Sequence, residues 1–457
     1  MNPASQDRTA ARQGLILAGL LLGLFLAAIE ATVVATAMPK VIADLGGQEL
    51  YSLPFAVFLL LITISGPIWG RLSDLLGRRR LYFIATSLFL AGSAFSGASQ
   101  SMPGLIWARA VQGLGGGGLL ALTFTIIGEL YPLRERARVQ GFISGVWGVS
   151  GLVGPLIGGF IVDHMSWRWV FYLNVPFGLA GMWLVGRWYV DRHSRTQGSV
   201  DLLGGGLFAL GAGLLIYGLQ THRNAFWATG LVILLVFLLA EGRQSAPLIP
   251  FATIRQPLIG RAILGNLLAG MAFFGATAFI PLFGQAARGQ SATGAGALLA
   301  PMTVGWTIAS IWSARWLPQL GPRPLSVAGA VTMVLGFGIW TVALGAPPLV
   351  LGAGSLLAGL GMGAMMLSLL VSAQEEAPRE ALGIVTGLLQ FARNFGGSVG
   401  AALMGAALGR ALTTGGSALF TAFWRVPALA ALLALGSFAM VWGLPAMRSS
   451  AYPERGS

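Results

Sequence analysis

The amino-acid sequence predicts an all-α polytopic membrane protein of fourteen transmembrane helices with both termini cytoplasmic. Three observations lead there. The 457 residues are 55% hydrophobic and only 9% charged, with a mean hydropathy of +0.77, whereas soluble domains carry about 25% charged residues. The apolar residues gather into about fourteen runs, each near the roughly 20 residues of helix that cross a hydrocarbon layer. Placing the N-terminus inside puts twenty of the 28 Lys and Arg in cytoplasmic loops. It leaves six outside, namely Lys40, Arg168, Arg223, Arg288, Arg410 and Arg425, the asymmetry of the positive-inside rule.

Taken in order, the first six spans lie near 14–38, 52–70, 81–99, 103–129, 139–162 and 168–187. The polar start carries Arg8 and Arg12, and the run behind it continues to Pro39 with no small-residue cleavage site. It therefore reads as a retained helix, not a cleaved signal. Two further spans, near 202–219 and 225–240, precede a polar stretch with Pro247, Pro250 and Pro257. The last six lie near 258–284, 292–314, 325–344, 348–372, 382–409 and 424–445.

The two sets of six repeat one another. A shift of 246 residues lays Gly113 and Gly115 on Gly359 and Gly361, and Gly141, Gly151, Gly154 and Gly159 on Gly387, Gly397, Gly400 and Gly405. A shift of 244 pairs Gly77 with Gly321 and Arg79 with Arg323. The expected organisation is a six-helix bundle at 14–188, two inserted helices within 199–241, a cytoplasmic connector at 242–257 and a second bundle at 258–446. Two-bundle transporters hold their substrate at the interface of such repeats, near the bilayer midplane.

Composition also excludes classes of function. There is no Cys, and His164, His193 and His222 each lie beside a loop, so no thiolate chemistry, metal site or cofactor is expected. The net charge of +13 is spread through short loops with no aromatic-interleaved basic face, which argues against nucleic acid. The glycine run 115–118 has no following Lys and makes no phosphate loop. An enzyme is not expected.

Charges inside spans are the candidates for function, because each costs a few kcal/mol or more there and turns toward a bundle interior or a water-filled cavity. Glu30 interrupts the first span and Arg109 the fourth. At 1.5 Å per residue they lie roughly 13 and 9 Å from the outer ends of their helices, close enough in depth to share a cavity. Gln112 follows Arg109 by three residues and shares its helix face. Arg393 interrupts the thirteenth span. It either meets an anionic part of a substrate or holds helix packing. Gln112, Asn266, Gln285, Gln390 and Asn394 either line a cavity or bond neighbouring helices. Phe273, Phe274, Trp306, Phe391 and Phe395 are either an apolar wall or ordinary packing.

Several stretches carry a family resemblance. Gly70-Arg-Leu72-Ser-Asp74-Leu-Leu-Gly77-Arg78-Arg79-Arg80 resembles the cytoplasmic loop signature of the major facilitator superfamily. Its glycines permit a tight turn, and Asp74 can accept charge-assisted bonds from arginines or a helix N-terminus. The resemblance implies a latch between bundles, built on Gly70, Asp74, Gly77 and Arg78. Arg109-Ala-Val-Gln112-Gly113-Leu-Gly115 is similar to a further pattern of the superfamily. Gly151, Gly154, Pro155, Gly158 and Gly159 resemble its antiporter element, where small residues let backbones approach and Pro155 favours a kink. Glu30 to Pro39, Trp167 to Gly178 and Phe391 to Gly400 resemble stretches of the fourteen-helix drug:proton antiporters, with Glu30 where Asp is more usual. A second acid, present in the second span of some members, is absent.

The resemblance implies proton-coupled efflux of lipophilic small molecules or drugs across the cytoplasmic membrane by alternating access. Protons would bind at Glu30 with Arg109 as partner, in a chain working as a monomer within the bilayer. Two alternatives stay open: movement of lipid or another amphiphile by the same fold, and a sensor or scaffold that does not transport.

Overall fold

Fourteen long helices follow one another in a computed structural model, which describes residues 3–131, 133–191, 202–242, 254–377, 382–409, 411–414 and 416–444. They are α1 Pro3–Leu45, α2 Leu53–Leu76, α3 Arg78–Ala98, α4 Met102–Leu130, α5 Leu133–His164, α6 Asn174–Trp188, α7 Leu202–Gln220 and α8 Asn224–Glu241. The second half contributes α9 Pro257–Leu282, α10 Ala292–Leu320, α11 Pro322–Val342, α12 Pro348–Glu376, α13 Leu382–Leu408 and α14 Arg425–Trp442. No strand occurs among the described residues. Helices are the outcome expected where no water can bond the backbone, since each satisfies its own amides and carbonyls.

Thirteen described stretches are long and apolar enough to cross a membrane. The expected span at α13 is also long enough, at 27 residues, but Gln390, Arg393 and Asn394 dilute its apolar character. Several helices run past their expected ends, α2 to Leu76, α5 from Leu133 and α10 to Leu320 among them, and two departures change the architecture. The polar start is helical from Pro3, so α1 runs for 43 residues. The sixth span is preceded by a separate turn, Trp169–Tyr172. The proposed boundaries inside 192–201 and 243–253 lie outside the described residues.

The internal repeat has a packing counterpart. A side chain at Gly113 would strike the α2 backbone at Phe58, and one at Gly115 would strike α3 at Phe89. Their repeat partners Gly359 and Gly361 meet Met302 of α10 and Gly329 of α11, so α12 packs on α10 and α11 as α4 packs on α2 and α3. The turns repeat as well. Gly77 and Gly321 have φ of 93° and 76°, a region open to glycine without steric cost, and each starts the next helix.

Helices α2 and α13 meet along one seam between the halves, α5 and α10 along the other, and α1 touches α9 and α10. Helix α7 packs on both α2 and α13. Its Phe208 contacts Phe391 and Phe395 at ring-centroid distances of 5.0 and 5.2 Å, so those two rings are turned to the inserted pair. At the end of the molecule holding the α1–α2 turn, hydrogen bonds cross between halves. Tyr51 donates to the Ala278 carbonyl at 2.9 Å and Gln285 to the Thr36 carbonyl at 2.8 Å. Asp163 accepts from the amides of Ala292 and Thr293, both at 2.8 Å, and from the Thr293 hydroxyl at 2.6 Å. At the opposite end the halves bond within themselves: Arg12 to the Trp188 carbonyl at 2.8 Å in the first, Arg261 to the Gly443 carbonyl in the second. The apolar core follows the same division. One cluster runs from Ile29–Ile42 and Leu53–Ile64 into the second half, while a separate one fills the first half around Tyr82, Phe89 and Leu122.

Candidate functional site

Glu30 and Arg109 form an ion pair, and both side chains are fully buried. The pair is assembled from five helices or their ends. Helix α1 carries Glu30, while α4 carries Arg109 and Gln112 on one face. The Arg109 Nη1 that holds Glu30 Oε1 also donates to Gln112 Oε1 at 2.6 Å. Its Nε donates to the Pro54 carbonyl at 3.3 Å at the start of α2, and its guanidinium lies 4.0 Å from the centre of the Phe58 ring. On the other side, Asn174 at the start of α6 donates to Glu30 Oε2 at 2.7 Å and to Ser93 Oγ of α3 at 2.8 Å. Ser93 donates onward to the Phe171 carbonyl at 2.8 Å.

This geometry answers the cost of burial piece by piece. Both carboxylate oxygens of Glu30 accept a hydrogen bond, and the aromatic faces of Phe58 and Phe171 supplement the cation's partners. Removing one member of a buried pair typically costs about 3–5 kcal/mol, because the other is left uncompensated. Two donors stay open: Arg109 Nη2 and Gln112 Nε2 are buried without a partner. Chemically the arrangement can hold one proton on Glu30 and exchange an ion pair for a neutral acid beside a free guanidinium. Asn174 and Ser93 were not marked as site residues by sequence reasoning. Asn174 lies inside a family-like stretch, whereas Ser93 had no signal.

The other candidates occupy the second half. Arg393 of α13 is 6% exposed and donates to Met366 Sδ of α12 at 2.9 Å and to its neighbour Asn394 at 3.4 Å. It lies 5.7 Å from the Trp306 ring of α10, which packs on Phe273 and Phe274 of α9. Asn266 of α9 is buried, and its Oδ1, like Oε1 of Gln390, has no hydrogen-bond partner. These residues are not brought to the Glu30–Arg109 pair. Among the described residues no hydrogen bond or ion pair links Arg393 to that pair.

The sequence matches the Major Facilitator Superfamily over residues 20–401. The chain belongs to that superfamily. It is 32% identical over 417 residues, 88% of this chain and 77% of the relative, to the multidrug transporter protein MdtP of Bacillus subtilis. To multidrug resistance protein 3 of the same organism it is 34% identical over 343 residues, 72% of this chain and 67% of the relative. An auto-inhibited POT family peptide transporter shares the fold, with a TM-score of 0.69 at 15% identity over 97% of this chain and 99% of that one. The superfamily is one of transporters, and this member is a multi-pass membrane protein, not an enzyme.

Gly77 alone joins α2 to α3, and Arg78, Arg79 and Arg80 open α3. Gly77 sits where a Cβ would strike the Asp191 carboxylate. Arg78 forms an ion pair with Glu129 at the end of α4, and Glu129 accepts from the Tyr189 hydroxyl at 2.7 Å. Burial, together with that carboxylate, raises the Tyr189 hydroxyl pKa above its ordinary value and keeps the donor protonated. Arg79 donates to the Gly186 carbonyl. These contacts run to α4 and α6 of the same half. The side chain of Asp74 lies outside the described residues, and a Cβ at Gly70 would meet open space.

The glycines of α5 face two ways. Gly154 and Gly158 sit against Thr32 and Thr36 of α1, while Gly151 and Gly159 sit against Thr303 and Thr293 of α10. Thr303 donates to the Gly151 carbonyl. The helix is continuous through Pro155, whose carbonyl lies against Gly296.

Proposed function

We propose that this transporter exports lipophilic small molecules, including drugs, across the cytoplasmic membrane in exchange for protons, and that Glu30 is the proton site. The observation that carries the proposal is the fully buried Glu30–Arg109 pair, held in the membrane-spanning interior by Asn174 and Gln112. The multidrug names of the relatives support the substrate class.

Protonation of Glu30 dissolves the ion pair and leaves Arg109 to Gln112, Pro54 and the Phe58 face. The charge inside the first bundle then rises by one, and α1 loses its strongest tie to α4. Two residues beyond Glu30, Thr32 lies against Gly154 of α5, and α5 carries Gly151 and Gly159 to the seam with α10. A displacement of α1 thus reaches the contact that must slide when one end closes and the other opens. With the positive-inside orientation, the end tied by Tyr51, Gln285 and Asp163 is external, and the conformation is closed to the outside. Loss of the proton to the cytoplasm restores the pair and resets the cycle. The contacts of Gly77, Arg78 and Arg79 stay within the first half, as a latch between bundles would when released in a state closed to the outside, and the chain works as a monomer.

The test is transport in proteoliposomes under an imposed pH gradient, with lipophilic dyes of positive, neutral and negative charge. The wild type exchanges dye for protons, whereas Glu30→Gln loses the dependence on the gradient. Undiminished proton coupling in Glu30→Gln would falsify the assignment.

A further inference from the structure

Arg393 is the one buried cation among the described residues outside the Glu30 site that is placed mid-span with no carboxylate to pair with. We propose that it is the recognition group for an acidic substrate: a lipophilic organic anion, with its carboxylate on Arg393 and its apolar body against Trp306. The proposal rests on the export reading above and gives it a substrate class.

The protein partners of Arg393 are poor ones for a cation. A thioether sulfur accepts weakly, the Asn394 contact is long at 3.4 Å, and Nη2 has no protein acceptor among the described residues. A buried guanidinium cannot shed its charge by deprotonation, so water or an anion has to complete its shell when the site is in use. The planar fork of arginine matches a carboxylate in two parallel bonds, which a lysine would not.

The placement suits a ligand. Gln390, Arg393 and Gly397 follow at three- and four-residue spacing and share one face of α13. A Cβ at Gly397 would meet Phe274 of α9 and Leu59 of α2, so this face is turned toward the meeting of the two halves. The face bearing Phe391 and Phe395 is the one covered by α7. Trp306 beside the guanidinium supplies a flat apolar surface of the size of an aromatic ring system, and Gln390 Oε1 is an acceptor still without a donor, able to take a bond from a hydroxyl or amide of the guest. The first bundle offers no such opening, because its cation already holds Glu30.

Equilibrium binding separates this from the proton proposal. The protein is placed in nanodiscs with no pH gradient, and two fluorescent probes of one shape are titrated: pyrenebutyrate, an acid, and pyrenebutanol, its neutral analogue. The wild type is expected to bind the acid at least about tenfold more tightly, the size of one charge-assisted bond. In Arg393→Gln the ratio falls to about one, and in Arg393→Lys it is intermediate. Equal affinity for acid and alcohol in the wild type overturns the proposal with no variant needed, as does a preference that survives in Arg393→Gln. Loss of acid binding in phosphatidylglycerol nanodiscs but not in phosphatidylcholine ones assigns the site to a lipid phosphate and also overturns it. Failure of Glu30→Gln to uncouple transport would leave these ratios untouched, so the two proposals fall separately.

Discussion

Asn174 is the residue on which the Glu30 site turns, since its amide bonds both the carboxylate and Ser93. Replacing it by leucine strips one oxygen of Glu30 of its donor. The expected loss is about 1–3 kcal/mol of stability, the typical cost of leaving a buried polar group unpaired, read as a lowered thermal midpoint in detergent. The loss should shrink when Glu30→Gln is already present, and a double-mutant cycle giving strict additivity would show that the two do not interact. The residue scale is also where the sequence was most and least informative. Glu30 and Arg109 stood out because a charge in an apolar run is conspicuous. Asn174 and Ser93 did not, because amides and hydroxyls recur in membrane helices for packing alone. The partner of Arg78 was hidden for another reason: Glu129 closes an apolar span, and nothing in the order of residues says that the end of α4 lies beside the start of α3.

At the scale of elements, α5 acts as a shim between α1 and α10, and its glycines sort by partner. Gly158 has the Thr36 side chain and the Val33 carbonyl where a Cβ would go. Gly158→Val forces α5 off α1, and overpacking of this kind costs about 1–3 kcal/mol. Gly159→Val, which strikes the Thr293 backbone instead, should leave the first bundle's melting nearly unchanged while opening the seam with α10. Labelling of a single cysteine placed at Thr303, straightforward in a chain with no native Cys, distinguishes the two: faster labelling in Gly159→Val but not in Gly158→Val is expected. The glycine repeat was readable in the sequence because its order survives a fixed shift. Which glycines serve the bundle and which serve the seam was not, since that depends on contacts more than a hundred residues apart.

At the scale of the whole molecule, most of the hydrogen bonds across the halves lie at one end, with Thr303 to Gly151 further in, and Asp163 makes three of them to the start of α10. A carboxylate on the first amides of a helix is a favourable pairing, and it has to break if that end is to open. The double variant Asp163→Cys with Thr293→Cys should cross-link on oxidation, stop transport, and recover when reduced. Cross-linked protein that still transports would mean that this end does not open. The run of apolar helices and the repetition of motifs were legible in the sequence, but the place of α7 and α8 was not, because apolar helices carry no mark of which neighbour they choose.

That place changes how many parts the machine has. Helix α7 carries Gln220, which accepts from Ser52 and donates to the Glu49 carbonyl on the first half while lying against Gly405 on the second. Phe208, lower on the same helix, is wedged against Phe391 and Phe395. When α2 and α13 separate, α7 cannot keep both attachments, and it travels with one half or the other. If the bundles rock as proposed, the inserted helices act as a splint across one seam only and the motion is lopsided: one seam works as a bare bearing, the other as a bearing under a splint that must first let go of one half.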